Sequence, residues 1–185
     1  VAESIAFLLK TPVHPLPPGE SFEGVGVYVI YYRGSFEHYQ FLATANKSRC
    51  IMPIYVGKAV PLGWRTARAG REQVTRSLYG RLREHARSIN SCSNLAIEDF
   101  LCRFMILEGI ETDLITAVEA KLVRLHQPLW NSLIDGFGNH DPGSGRYNQA
   151  KSEWDVLHPG RMWAERLTGK PPKLQNILAK LKVKT

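Results

Sequence analysis

Arg81 and His85 stand four residues apart in a run where Leu78, Leu82, Ala86 and Ile89 recur at helical spacing. Both polar side chains therefore lie on one helical face and can address the same phosphate. Glu119 falls between Ile115 and Val123 on a second, otherwise largely apolar stripe. An unpaired carboxylate is costly in such a place, so it calls for a cation. Tyr28 and Tyr55 lie in two strand-like runs, Lys58 follows the second of them, and Asn131 follows the second helix. If the strands pair, the two phenols converge at one end of a sheet. A guanidinium, an imidazole, a carboxylate and two phenols suit phosphodiester hydrolysis, in which a base prepares water and fixed positive charge stabilises a pentacoordinate transition state.

These residues must be held by a small number of elements. Residues 11–19 carry four prolines, which fix φ and remove donors, and predict an extended arm leading into the fold. Residues 24–32 read as a strand buried on both faces, since Val25, Val27, Val29 and Tyr31 alternate with Gly26, Tyr28, Ile30 and Tyr32. Residues 38–43 read as a second strand, and residues 51–56 as a further one that stops at Gly57. A helix is expected over residues 74–89, a strand over 101–107, and a helix over 112–126 with Thr112 and Asp113 near its cap. Pro128 restricts Gln127 and ends that helix. Residues 135–147, rich in Gly, Asn and Asp, read as a loop, followed by a helix around Trp154 and a basic amphipathic helix over 174–182.

The tripeptides Gly26-Val27-Tyr28 and Tyr55-Val56-Gly57, with Arg81-x-x-x-His85, Glu119 and Asn131 following in order, resemble the GIY-YIG nuclease family. Each Ile of the family name is replaced here by Val, and the likeness covers residues 24–131. It implies an α+β fold with a small central antiparallel sheet flanked by helices, inserted loops and a C-terminal helical extension. The expected organisation is an N-terminal arm (1–23), a nuclease core (24–131) and a C-terminal elaboration of the same domain (132–185). By the same resemblance Glu119 ligates one divalent ion, Mg²⁺ or another such as Mn²⁺. Arg81 holds the scissile phosphate with its planar fork. Tyr28 positions and deprotonates the attacking water, helped by His85 or Lys58, because a phenol normally titrates near pH 10. Alternatively His85 is the base and Tyr28 only a positioner. Tyr55 orients the water or a phosphate oxygen, and Asn131 fixes the site by side-chain hydrogen bonds.

Each residue also has a plainer use. Tyrosines in strands usually pack, basic helices present solvated faces, Glu119 could pair with Lys121 or Arg124, and Asn131 could merely turn the chain. Glu119-Ala120-Lys121 offers the E-x-K of a PD-(D/E)xK nuclease, although that motif belongs on a strand with an acidic ligand well upstream. Asn139-His140-Asp141 faintly resembles part of an HNH site, but no second histidine pairing or ββ-metal pattern surrounds it, and it reads as a turn. Gly57-Lys58 is not a phosphate loop, since Met52 and Ala59 stand where Gly and Ser or Thr are needed. Six residues in family order outweigh these separate accounts.

With 24 Lys and Arg against 17 Asp and Glu, the chain carries a formal charge of +7, which favours a polyanionic partner. The basic residues concentrate between Lys58 and Arg87 and again from Arg161 onwards. Arg65, Arg68, Arg71, Arg76, Arg83 and Arg146 are the candidates for DNA contact, reading guanine edges or phosphates. Cys50, Cys92 and Cys102 form no C-x-x-C pair and are expected to be reduced. No run of about 18 apolar residues occurs, so the expectation is a soluble cytoplasmic bacterial protein with no membrane partner. Roughly 50 residues follow the family-like stretch, too few for a large second module. The expected function is therefore a type II restriction endonuclease that cuts double-stranded DNA at a short palindromic, G·C-containing site as a homodimer. A structure-selective repair nuclease, a PD-(D/E)xK nuclease and a non-catalytic DNA-binding protein are the alternatives.

Overall fold

The structure, a computed structural model, describes residues 1–60 and 76–183. Along the chain come α1 (Ala2–Leu8), β1 (His14–Pro15), β2 (Gly26–Tyr32), α2 (Gln40–Asn46), β3 (Pro53–Ala59), α3 (Ser77–Asn90) and β4 (Phe100–Ile106). They are followed by α4 (Ile115–His126), α5 (Leu129–Ser132), α6 (Glu153–Leu157), α7 (Met162–Glu165) and α8 (Leu174–Lys182). The four strands form one antiparallel sheet in the order β1-β4-β2-β3. This is the α+β architecture expected of the GIY-YIG fold, with helices on both faces of a small sheet.

Strand β2 is buried along its whole length because both faces carry apolar or aromatic side chains. Val27, Val29 and Tyr31 point into a cluster with Ile5 and Leu8 of α1 and Ile115, Val118 and Leu122 of α4. Tyr28, Ile30 and Tyr32 point the other way, into a cluster with Leu78, Leu82 and Ile89 of α3. Leu16, Trp130, Trp154, Ile177 and Leu181 join that second cluster, so both chain ends contribute to the packing around the core.

Several sequence expectations need correction. Residues 38–43 are not a strand: a 3₁₀ turn over Glu37–Tyr39 runs into α2. The buried residues are Tyr39 and Leu42, three apart, which is a helical rather than an alternating period. Asn46 then ties the end of α2 into the sheet, donating to the carbonyls of Tyr32 and Met52 and accepting from the amides of Ile51 and Met52. Strand β3 does not stop at Gly57 but pairs with β2 through Ala59, which puts Lys58 on the strand. Thr112 and Asp113 lie in a 3₁₀ segment (Gly109–Leu114) ahead of α4 instead of capping it. Gln127, at φ 43°, closes α4 in the left-handed region just before Pro128. The opening residues, expected as an arm, include helix α1 and the short strand β1. All three cysteines are free and buried. Among the described residues no helix is long and apolar enough to cross a membrane.

Candidate active site

Tyr28 on β2 is directly opposite Gly57 on β3. A Cβ at position 57 would lie 2.3 Å from the Tyr28 phenol oxygen and 2.4 Å from Cζ. The glycine is therefore the space through which the phenol crosses the neighbouring strand. The Tyr28 oxygen meets His85 Nε2 on α3 at 2.6 Å, and both residues are buried. Burial pushes the Tyr28 phenol well above its ordinary pKa, with Tyr55 adding to the rise and Arg81 opposing it. Burial likewise holds His85 well below the usual histidine range, reinforced by Arg81, His140 and Arg161. Near neutral pH the pair is thus a neutral phenol against a neutral imidazole, and in the tautomer with the proton on Nδ1 the phenol O–H donates to Nε2.

Tyr55 on β3 completes an aromatic triangle, its ring centroid 6.3 Å from Tyr28 and 5.1 Å from His85. Burial raises the Tyr55 phenol, too. Phe137 is stacked on His85 at 4.5 Å and meets Tyr55 edge-on at 4.9 Å. Tyr28, Tyr55, Lys58, Arg81 and Glu119 line one cleft of about 540 Å³, together with Glu84 and His140. His85 stands behind Tyr28 through the bond already given.

The charges in the cleft are held in pairs. Glu119 projects from α4 and accepts from Lys58 Nζ at 2.6 Å, in place of the expected alternatives Lys121 and Arg124. Arg81 donates to Glu84 at 2.9 Å, one helical turn along α3, and touches His140 Nε2. Asn131, in α5, lies against the outer edge of β3: its Oδ1 accepts from the Val56 amide at 2.8 Å and its Nδ2 donates to the Val56 carbonyl at 2.9 Å. The structure thus brings Tyr28, Tyr55, Lys58, Arg81, His85 and Glu119 to one place, with Asn131 one residue removed behind the strand that bears Tyr55.

Of the arginines expected to meet DNA, Arg76 precedes α3 and is exposed, Arg83 is exposed with its guanidinium 5.9 Å from the Tyr79 ring, and Arg146 is exposed on a 3₁₀ turn. Arg65, Arg68 and Arg71 lie outside the described residues. Sequence reading missed Phe137, Gly57 as a space-making residue, Glu84 and His140. The sequence offers His140 as part of a turn or of a faint HNH likeness, and Asp141 does close a turn by accepting from the Gly143 amide. A single imidazole in a Gly- and Asn-rich loop carries no signal of the helix it will touch.

The donor chemistry of the cleft fits a hard divalent cation. Glu119 offers one carboxylate at an open cleft, and Mg²⁺ commonly takes one or two protein carboxylates with the remaining positions filled by water and phosphate oxygens. Among the described residues no group of three or more His, Cys, Asp or Glu side chains could form an all-protein metal cage. Glu119 is the residue that would hold such an ion.

A phenol, a guanidinium and a carboxylate face one cleft beside a small antiparallel sheet, with the His85 imidazole behind the phenol, as the GIY-YIG resemblance implied. The family model described as the Eco29kI GIY-YIG domain matches residues 20–184, and the chain belongs to that family. It is a restriction-like GIY-YIG nuclease, a hydrolase whose substrate is DNA. A comparison with individually curated proteins finds no match.

Proposed function

We propose that this chain is a type II restriction endonuclease that hydrolyses both strands of a short palindromic, G·C-containing DNA site, using one Mg²⁺ per active site. The observation that carries the chemistry is the 2.6 Å contact between the Tyr28 phenol and His85 Nε2 inside a cleft that also holds Arg81 and Glu119. A buried neutral imidazole can take the phenol proton as the phenol takes one from water. Tyr28 then faces the nucleophile and His85 is the final proton acceptor, a division of labour that leaves neither group charged beforehand. Arg81 leaves Glu84 to bind the scissile phosphate bidentately. Tyr55 orients the incoming water or a nonbridging oxygen. Lys58, released from Glu119, adds positive charge beside the phosphate. Glu119 would hold the divalent ion, which would supply Lewis-acid charge neutralisation when bound. Asn131 acts from behind by fixing the backbone between Tyr55 and Gly57.

Residues 24–131 form the catalytic core in this reading, and the segments on either side elaborate it in the bacterial cytoplasm. The exposed Arg76, Arg83 and Arg146, with Arg65, Arg68 and Arg71, supply base and phosphate contacts. A two-fold homodimer places one active site on each strand of a palindrome.

Digestion of a plasmid of known sequence with Mg²⁺, followed by sequencing of fragment ends, tests the proposal. Fixed ends at one palindrome are expected. Cutting confined to junctions or flaps makes the chain a repair nuclease, and binding without cutting removes the catalytic reading. Glu119→Gln is expected to bind the site without cutting it, and retained cleavage would overturn the metal assignment.

A further inference from the structure

Arg161 belongs to the basic C-terminal stretch that composition assigns to a polyanion, yet its side chain is 3 % exposed. Its Nε donates to Asp155 at 2.7 Å. Nη1 donates to the carbonyls of Phe137 and Asn139, each at 3.1 Å, and Nη2 donates to the Gly136 carbonyl at 2.8 Å. The guanidinium is flanked by the Trp154 and Trp163 rings at 4.6 and 4.7 Å. A side chain committed in this way has no reach to DNA. A buried ion pair is also a weak source of stability compared with apolar packing of equal volume, so its retention asks for another explanation.

The three carbonyls belong to one loop, which reaches the nuclease cleft through His140 and packs behind it through Phe137. Phe137 stacks on His85 at an interplanar angle of 20°. Gly138 passes so close to Tyr55 that a Cβ there would lie 2.9 Å from its phenol oxygen. His140 touches Arg81. The loop has no regular backbone ladder to set these placements, and only a planar fork can bind three diverging carbonyls and a carboxylate together. We propose that Arg161 is a positioning residue of the nuclease site: it fixes the 136–140 loop so that Phe137 holds the His85 ring against Tyr28 and His140 stands beside Arg81. This inference rests on the nuclease reading above.

The test compares Arg161→Gln, Arg161→Lys and Phe137→Ala with the wild type in single-turnover cleavage of a duplex carrying the mapped site. Binding is measured separately, with Ca²⁺ in place of Mg²⁺. Arg161→Gln is expected to lose on the order of tenfold to a hundredfold in cleavage rate, as small misplacements of catalytic groups do, with little change in binding. Arg161→Lys keeps the charge without the fork and should also be slow. The Arg161→Gln, Phe137→Ala double variant should be no slower than the worse single variant, because the Phe137 ring acts through the loop that Arg161 fixes. Leu8→Ala, in the cluster on the opposite face of the sheet, is the control for lost stability and should retain the rate at temperatures below its melting point.

Titration of His85 by NMR provides a readout independent of cleavage. His85 is faced by Tyr28 and Tyr55 from the strands, Arg81 on its own helix, and His140 and Arg161 from the C-terminal side. Loss of the Arg161 charge should let His85 take up a proton at higher pH, whereas Arg161→Lys should leave its titration near that of the wild type. Unchanged cleavage and unchanged His85 titration in Arg161→Gln would overturn the inference, as would a rate loss matched by Leu8→Ala. If the wild type itself fails to cut DNA, the nuclease reading fails, and the His85 titration still decides whether Arg161 sets that residue.

Discussion

Removal of the Asn131 carboxamide separates a structural clamp from a chemical group. Strand β3 is an edge strand, and Val56, opposite Val29 of β2, meets Asn131 through both its amide and its carbonyl. One side chain thus stands in for a missing fifth strand at a single residue. Each of the two hydrogen bonds, at 2.8 and 2.9 Å, contributes about 0.5–1.5 kcal/mol net, so Asn131→Ala should cost roughly 1–3 kcal/mol. For a chain of this size that corresponds to a melting temperature lowered by roughly 2–12 °C. Asn131→Asp keeps the acceptor for the amide but turns a carboxylate oxygen toward the Val56 carbonyl, so it should be at least as harmful. Differential scanning calorimetry gives the stability, and single-turnover cleavage below the melting point gives the rate. Since Val56 lies between Tyr55 and Gly57, both should fall together. An Asn131→Ala protein with unchanged melting temperature and abolished cleavage would refute the clamp and place the carboxamide in the reaction.

Three further outcomes follow from the geometry. Gly57→Ala puts a methyl group against the Tyr28 phenol and should abolish cleavage at temperatures where the protein remains folded; a normal rate would mean that the phenol position is not needed. Arg81→Lys should lose cleavage by a large factor despite keeping the charge, because the fork is lost, whereas Arg83→Ala should mainly weaken binding; the reverse pattern, read from rate and affinity, would exchange their roles. His158, held at about pKa 3 by burial, stays neutral in the folded protein while its unfolded counterpart takes a proton below about pH 6.5. Its stabilisation is complete above that pH and has fallen by roughly 2 kcal/mol at pH 5. The stability gap between the wild type and His158→Gln, measured by urea unfolding, should accordingly narrow on acidification, and a constant gap would refute the assignment.

The strands and helices that bear the candidate site were legible because each is long enough to show its period. Strand β2 announces itself by β-branched and aromatic residues on both faces, and α3 by apolar residues every third or fourth position with Arg81 and His85 on one side. Residues 38–43, which span the 3₁₀ turn and the start of α2, read as a strand because they combine aromatic and polar types that suit either period. What decides it is the four-bond clamp made by Asn46, which is tertiary. The Lys58–Glu119 pair joins residues 61 apart, and no local pattern announces it. Arg161 is the sharpest case. Its charge suggests an exterior ligand, and only the convergence of three carbonyls, Asp155 and two indoles explains its burial.

The cleft keeps its cations engaged until a polyanion arrives. Arg81 and Glu84 are 27 % and 47 % exposed, so their ion pair is worth little and is readily exchanged for a phosphate, whose oxygens match the guanidinium fork better. Lys58 and Glu119 are 31 % and 23 % exposed, and a cation that approaches Glu119 meets the ammonium first. On the proposed reading, substrate phosphate relieves that competition by drawing Lys58 away from the carboxylate. Binding of DNA and completion of the metal site are then one event rather than two. On that reading the coupling would restrain the nuclease in the absence of DNA without any moving lid, because the same two positive side chains that pair with Glu119 and Glu84 are the ones the phosphate would claim.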